Sequence, residues 1–228
     1  MRPRPRREQR ARSTTSNKTG HVILQIPDSL QPLRGRLEAA VAEAVERIGG
    51  FAARHGWEEH TRESFFDSVK IFDDKVQFDA FLIEATGVEK TTKLPAEFCA
   101  ALENRVLTAV SPAMYDEVYP DGREPGSYAK LLVHEIAHRL HIRILNGDEE
   151  AMGPVWFYEG FAIYAADQMN DPTYILPDDE LWRIVENPKR GSYKKYGAAI
   201  RQFLQKTTIA EMVERAGKNE FEEWLQHI

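Results

Sequence analysis

The chain has 228 residues, with 30 Lys and Arg against 36 Asp and Glu and a formal net charge of −6. Its length suits one compact domain, and its 42% hydrophobic and 29% charged content is typical of a globular protein rather than a coiled coil or a disordered chain. The single Cys99 excludes an intramolecular disulfide and a cysteine-rich zinc site, and the apolar runs are far shorter than the roughly 18 residues that a membrane span needs.

The charge is distributed unevenly. Residues 1–18 carry six Arg, one Lys and one Glu, a net charge of +6, so the remaining 210 residues carry −12. We predict that residues 1–19 form a disordered basic tail, because they lack the apolar stretch of a secretory signal and are rich in charge. Weak contact of this tail with nucleic acid or an anionic surface is the alternative. The acidic remainder argues against a nucleic-acid-binding body.

The first half of the chain mixes strand and helix patterns. In chain order, they predict a strand over 21–26, a helix over 33–54, a strand over 64–72, a helix over 75–85 and two strands within 97–110. A turn near Glu103 and Asn104 separates the last two strands, and the second of them covers Arg105 to Val110. A turn-rich segment follows from Tyr119 to Ser127.

The second half is predicted to be helical throughout. Ser127 is placed to cap the start of a helix of about 18 residues, and Gly147 to take the first position after its end. Further helices are predicted over 155–169, 178–186, 192–206, 207–215 and 219–227.

A motif in the first of these helices carries chemistry. Three of the seven His residues fall in the segment LLVHEIAHRLH, where His134, Glu135 and His138 form the pattern H-E-x-x-H. A spacing of four places both imidazoles on one helix face, so both reach one ion. Zinc accepts neutral imidazole and keeps a position for water in catalytic sites. Glu135 is placed to act on that water as a general base.

Glu159 is the candidate third ligand. It lies 21 residues after His138 in PVWFYEGFAIYAAD, beyond a loop long enough to return the chain as a second helix. A Glu in such an apolar segment is costly to bury unless it binds a metal or pairs with an Arg or several N–H donors, and we favour the ligand interpretation. His141 lies about 10 Å along the helix axis from His134, too far to join the same ion. We predict that His141 supports a ligand side chain by a hydrogen bond or lies at the surface.

These segments resemble a known group of enzymes. HEIAH followed by WFYEGFAIY is similar to the gluzincin metallopeptidases, especially the peptidase MA-like families and the core of the large zinc aminopeptidases. The resemblance covers about residues 64–210. It implies an α+β, zincin-like fold for a single catalytic domain over 20–228. An N-terminal α/β lobe with a small mixed sheet (about 20–126) would precede a mainly helical C-terminal lobe (about 127–228), with the active-site cleft between them.

The resemblance also implies roles for individual residues. One Zn²⁺ per chain would be held by His134, His138 and Glu159, with Glu135 as the general base of peptide-bond hydrolysis. The segment SYKKYGAAIRQFL resembles the helix start at which the family places a Tyr that hydrogen-bonds the oxyanion. Tyr193 matches that place, four residues before Gly197, and Tyr196 is the alternative. In the aminopeptidase form the Tyr stands three residues before the Gly, where this chain has Lys194.

The chain departs from the group that it resembles at two places. The amine-binding G-x-M-E-N motif of the large aminopeptidases is absent from the sequence, so recognition of a free N-terminus of that kind is unsupported. The thermolysin-like E-x-x-x-D pattern, whose Asp supports a ligand His, has Ile163 in place of the Asp. Glu150 and Asp167 are the candidates for a carboxylate that supports the ligands.

The sequence thus predicts a zinc-dependent metallopeptidase that acts on a peptide or protein substrate. An extended substrate would pair with the strand at Arg105 to Val110. Arg201 is either a contact for a substrate carboxylate or, as we favour, a structural residue. Two alternatives stay open, namely a catalytically silent gluzincin-like zinc-binding domain used for protein binding or regulation, and a structural zinc that clamps two helices.

The surroundings of the protein are predicted only coarsely. We expect a cytoplasmic location without a membrane span, and a buried Cys99 in a reducing compartment. The oligomeric state is left open.

Overall fold

The computed structural model describes residues 22–89, 91 and 93–228. The predicted basic tail at residues 1–19 lies outside the described residues, as does His21 at the start of the first predicted strand.

The described residues form a mixed α+β structure. Its strands are β1 (Ile23–Gln25), β2 (Ser68–Phe72), β3 (Ala100–Glu103) and β4 (Val106–Val110). Its α-helices are α1 (Arg34–Arg54), α2 (Lys75–Thr86), α3 (Pro112–Val118), α4 (Ser127–Ile144), α5 (Val155–Ala166), α6 (Asp178–Val185), α7 (Tyr193–Phe203), α8 (Ile209–Arg215) and α9 (Phe221–Gln226). Shorter 3-10 turns lie at Asp28–Leu33, Glu58–Thr61, Pro120–Gly122 and Glu150–Met152.

The sheet is mixed, with the order β1-β2-β4-β3. β1, β2 and β4 are parallel, and β3 runs antiparallel to β4. We expected the strand over 105–110 to pair with a substrate. This prediction was wrong, because β2 and β3 pair with the two edges of β4. β3 forms the edge of the sheet on this side and packs against α4.

The β3–β4 hairpin explains why the strand begins at Val106 rather than at Arg105. The two central residues of the turn, Asn104 and Arg105, have φ of 48° and 61°, as the type I′ turns that suit the twist of a hairpin require. Arg105 is held in this conformation by Asp67, whose carboxylate accepts from its Nε at 2.9 Å and its Nη2 at 2.6 Å. The predicted turn is confirmed, one residue further along.

Helix α4 lies at the centre of the molecule. It packs against α1, α5 and β3, so it is covered around most of its circumference. This is why its sequence is apolar on more than one face, with buried residues at Leu131, Leu132, Val133, Ile136, Ala137 and Leu140. Buried residues of both predicted lobes belong to one hydrophobic cluster. Among the described helices, none has the length and apolar composition that crossing a membrane requires.

Several predicted element ends were wrong, each for a local reason. Gly126, not Ser127, is the residue that caps the start of α4, and Asn146, with φ of 56°, takes the first position after its end in place of Gly147. Helix α5 stops at Ala166 instead of continuing to residue 169. Helix α3 was not predicted. Ser111 and Pro112, which directly follow β4, begin this helix, since the Ser111 hydroxyl accepts from Met114 N–H at 3.3 Å.

Helices α5 and α7 approach closely at Gly160. A Cβ added at Gly160 would lie 2.7 Å from Cγ1 of Ile200 and 3.2 Å from the carbonyl oxygen of Tyr196. The absence of a side chain therefore sets the spacing between the helix that carries Glu159 and the helix that carries Tyr193.

We expect Gly160→Ala to lower the free energy of unfolding by about 1–3 kcal/mol, because the added methyl group displaces Ile200 or separates the two helices. Gly49→Ala in α1 is the matched control, since none of the described atoms lies within 4 Å of its added Cβ. That variant is expected to gain about 0.5–1 kcal/mol from the better helix propensity. Urea denaturation measures both changes, and equal effects at the two sites would contradict the close approach.

Candidate metal centre

Three side chains from two helices converge on one point. His134 and His138 project from α4, and Glu159 projects from α5. The two Nε2 atoms lie 3.1 Å apart, and Oε2 of Glu159 lies 3.2 Å from Nε2 of His134 and 3.6 Å from Nε2 of His138. His134 and Glu159 are buried, with 5% and 2% of their surface exposed, and His138 is half-buried.

These separations fit a metal ion. Two ligand atoms that each lie 2.0–2.1 Å from a tetrahedral zinc ion are about 3.3 Å apart. The three observed distances, from 3.1 to 3.6 Å, lie on either side of that value. The group could hold a metal ion with three protein ligands, a number that leaves a tetrahedral ion one further position.

The ionisation of the group also suits a cation. Burial chiefly lowers the pKa of His138. Burial alone would also lower the pKa of His134, but the hydrogen bond to Glu159 and the charge of Glu135 raise it. The two histidines hold the pKa of Glu159 well below its usual range, although burial alone would raise it. An ionised carboxylate thus faces two imidazole nitrogens, and these acceptors repel each other unless a proton or a cation lies between them.

Gln168, just beyond the end of α5, fixes the orientation of His134. Its Oε1 lies 2.8 Å from Nδ1 of His134. Because a carbonyl oxygen only accepts hydrogen bonds, Nδ1 must carry the proton. The neutral ring then presents an unprotonated Nε2 to the converging group, which is the form that binds a metal.

The two candidates for a supporting carboxylate were wrong. The carboxylate of Asp167 pairs with Lys130 at 3.3 Å instead of with a ligand histidine. Glu150 is an exposed residue of the turn before α5. The support comes instead from the residue after Asp167, through the amide of Gln168. Sequence analysis missed it because its position depends on where α5 ends, and we had predicted a continuous helix there.

Arg190 is a second residue of the site that sequence analysis missed. Its Nη1 lies 2.6 Å from Oε1 of Glu159 and donates to Oη of Tyr193 at 2.6 Å. The two oxygens of Glu159 are therefore divided between Arg190 and the histidines. Although partial burial opposes it, the charge of Glu159 raises the pKa of Arg190. The sequence did indicate that a buried Glu159 would require a partner such as an Arg. Nothing in the loop sequence identified Arg190 as that partner.

Glu135 lies beside the converging group rather than in it. It lines a cavity that opens to solvent, whose other walls include Cys99, Tyr115, Leu131, Met169 and Tyr193. Burial is the main cause that raises the pKa of Glu135 to about 8; His134 and Arg190 lower this pKa, and the charge of Glu159 adds to the increase. Cys99 is buried, as expected, and burial raises the pKa of its thiol to about 12.

The two candidate tyrosines lie in different surroundings. Tyr193 lines the same cavity as Glu135, and its ring centre lies 5.7 Å from that of His134. Tyr196 is buried, where its hydroxyl accepts from Gly191 N–H and donates to the carbonyl of Lys189 at 3.3 Å. Tyr196 therefore closes the loop before α7, and Tyr193 is the tyrosine that faces the site.

Arg201 occupies the structural position that we favoured. It is half-buried, and its Nη2 donates to the carbonyl oxygen of Asp171 at 3.3 Å.

His141 neither hydrogen-bonds to a ligand side chain nor lies at the surface, so that prediction was wrong. It is fully buried, its ring stacks on that of Phe161 at 4.4 Å, and neither ring nitrogen has a hydrogen-bond partner among the described residues. The helix pattern predicted its direction but not the aromatic residues of α5 that cover it.

Comparison of the chain with protein-family models, with curated proteins and with solved structures found no match. The resemblance to gluzincins therefore depends on the motifs alone.

We expect His141 to make the protein sensitive to acid. Burial lowers its pKa from an ordinary 6.5 to about 3, so between these pH values the unfolded chain binds a proton that the folded chain excludes. The contribution is present above pH 6.5 and is lost as the pH falls, by about 2 kcal/mol between pH 7 and pH 5. His141→Leu removes the group at similar volume and should flatten this part of the curve.

Urea denaturation at the two pH values measures the difference, with a chelator present so that metal binding does not contribute. An equal loss of stability in wild type and variant would show that His141 is not the group responsible.

Proposed function

We propose that this chain is a zinc-dependent metallopeptidase of the gluzincin type, which hydrolyses peptide bonds with Glu135 as general base. The observation that carries the proposal is the convergence of two imidazole nitrogens and one carboxylate oxygen beside a cavity that Glu135 lines. The motif and the spacing of Glu159 support the same conclusion.

Zinc is the ion that suits this ligand set. Two neutral imidazoles and one carboxylate, without a thiolate, form the ligand set of catalytic zinc sites that keep a position for water or substrate. When bound there, zinc lowers the pKa of a water and polarises a carbonyl oxygen.

Glu135 would move the proton. One of its carboxylate oxygens accepts a proton from the attacking water and later gives it to the leaving amine. In the absence of a cation its pKa is raised to about 8, which would leave most of it protonated at neutral pH. A divalent cation nearby favours the ionised carboxylate, so metal binding would bring Glu135 into the state that a base needs.

Tyr193 and Arg190 would stabilise the oxyanion. Because the Tyr193 oxygen accepts from Nη1 of Arg190, its own O–H proton is free to point elsewhere. A donor aimed at the position where negative charge develops is worth about 10²–10³-fold in rate in comparable enzymes. Arg190 also forms an ion pair with Glu159, so it connects a candidate metal ligand to the candidate oxyanion donor.

The edge strand β3 would bind an extended peptide. Cys99 and Ala100, at its start, line the same cavity as Glu135. A peptide that adds to a sheet edge is aligned through its main chain, which would lay the scissile carbonyl across the site. This assignment replaces β4, whose two edges are occupied.

The catalytically silent zinc-binding domain, used for protein binding or regulation without turnover, is the competing candidate. A separate observation weakens the argument for a metal from burial. Arg190 already compensates the charge of Glu159 at 2.6 Å, so the burial of Glu159 alone does not demand a metal.

We expect metal-stripped protein to take up one Zn²⁺ per chain, and His138→Ala to lose that uptake. Glu135→Gln should keep the zinc and lower the rate of peptide hydrolysis by about 10²–10⁴-fold, since only the proton acceptor is removed. Elemental analysis and a peptide-library assay measure the two properties. Glu46→Gln, an exposed carboxylate on α1, is the control variant.

These outcomes separate the candidates. Protein that takes up no zinc on titration rules out the site. Zinc uptake without hydrolysis of any peptide supports the silent domain. Hydrolysis that survives Glu135→Gln with zinc retained contradicts the assigned base.

The two tyrosines provide a paired test. Tyr193→Phe should lower kcat by about 10²–10³-fold with little change in KM, because the hydroxyl acts on the transition state only. Tyr196→Phe should leave kcat nearly unchanged and lower the free energy of unfolding by about 1–3 kcal/mol, because Gly191 N–H loses its partner. The reverse pattern would assign the oxyanion to Tyr196.

A further inference from the structure

The backbone around Gln168 is held in an uncommon conformation. Asp167 and Met169, on either side of it, have φ of 55° and 50°, in the left-handed region that favours glycine. Helix α5 ends here in a Schellman motif, in which Gln168 N–H bonds to the carbonyl of Ile163 at 3.0 Å and Asp167 N–H to that of Tyr164 at 3.2 Å. Two such non-glycine residues, separated by one position, cost free energy and persist only where the surroundings hold them.

Lys130 holds the residue before Gln168. It lies on α4, one turn before His134, and only 8% of its surface is exposed, which is rare for a lysine without a partner. Its ammonium group donates to the main-chain carbonyl of Asp167 and lies 3.3 Å from the Asp167 carboxylate. The same group lies 3.4 Å from Oε1 of Glu124.

Glu124 holds the residue after Gln168. Its two carboxylate oxygens lie 3.1 and 3.2 Å from the main-chain nitrogen of Met169, whose N–H they accept. The Glu124–Lys130 ion pair thus hydrogen-bonds to the main chain immediately before and immediately after Gln168, the residue that contacts His134.

We propose that Glu124 and Lys130 are positioning residues that hold the Gln168 amide on Nδ1 of His134 and so raise the affinity of the metal centre. This inference rests on the proposed metal site. Ending the helix alone would not require the ion pair, because a glycine at position 167 adopts the left-handed conformation without strain. The buried charges act on the direction of the chain after α5, which decides whether Oε1 of Gln168 reaches the imidazole at 2.8 Å.

The effect on the ligand is specific. Without the acceptor on Nδ1, neutral His134 is free to place its proton on Nε2, where it blocks metal binding, or to rotate its ring. Loss of such supporting partners lowers metal affinity by about 10–100-fold in comparable sites.

The experiment is a double-mutant cycle on zinc affinity. Lys130→Met and Gln168→Ala should each weaken zinc binding by about 10–100-fold in competition with a chromophoric chelator. Because Lys130 acts through Gln168, the double variant should bind zinc no more weakly than Gln168→Ala alone. Lys75→Met is the control, since Lys75 also forms an ion pair, with Asp79 on α2, that is partly buried. It should leave zinc affinity unchanged.

A second readout does not involve the metal. In metal-free protein, at a pH at which the ring is neutral, long-range ¹H–¹⁵N spectra of the imidazoles should show His134 as the Nδ1–H tautomer in wild type. In folded Lys130→Met the same resonances should shift toward a mixture of the two tautomers. A merely structural role for Lys130 would leave the tautomer unchanged. If Lys130→Met does not fold, Glu124→Gln takes its place, because it removes the charge but keeps an amide oxygen for Met169 N–H.

The failures are distinguishable. Wild-type protein that binds no zinc overturns both the metal site and this inference. Zinc binding with equal affinity in wild type and the folded Lys130 or Glu124 variant overturns this inference alone. This inference is also overturned if the Lys130 or Glu124 substitution weakens zinc binding as much in the Gln168→Ala background as in wild type.

Discussion

The charge of Glu159 is the constraint on which the site depends. A carboxylate buried among the aromatic residues of α5 loses several kcal/mol of hydration, which partners must replace. The protein divides the task, since Arg190 takes one oxygen and the two histidines of α4 face the other. Removal of either set of partners would leave one oxygen of the buried carboxylate without its partner. The fold is therefore required to bring α4, α5 and the loop before α7 together at this one residue.

Helix packing meets that requirement in three layers. α4 is covered by α1, α5 and β3, so its ligand face is turned toward α5 at fixed depth. α7 lies against the other side of α5 and carries Tyr193 to the cavity. The same loop that supplies Arg190 leads directly into α7, and Tyr196 fastens that loop by two hydrogen bonds. The metal ligands, the candidate base and the candidate oxyanion donor thus depend on one continuous core.

How much of the fold and of the site could be predicted from the sequence depends on how far apart along the chain the interacting residues lie. His134, Glu135 and His138 lie within five residues on one helix, so helical periodicity alone brings the two histidines to one face. Glu159 was predictable because its apolar surroundings left it few other roles. The order of the strands is a property of the whole sheet, and no local pattern shows that β4 is internal. Arg190 lies in a loop without periodicity, and Gln168 depends on a helix end at Asp167, where a glycine is usual.

The near-contact at Gly160 has a consequence for motion. With so little space between α5 and the Ile200 and Tyr196 backbone of α7, the two helices cannot slide past each other without a steric clash. They form a rigid pair, and the distance between Glu159 and Tyr193 changes little with thermal fluctuation. Widening of the cleft would therefore fall to two other segments that line it, residues 97–99 before β3 and the turn at Tyr119. A ligand large enough to need such widening would be admitted at the rate at which those two segments move.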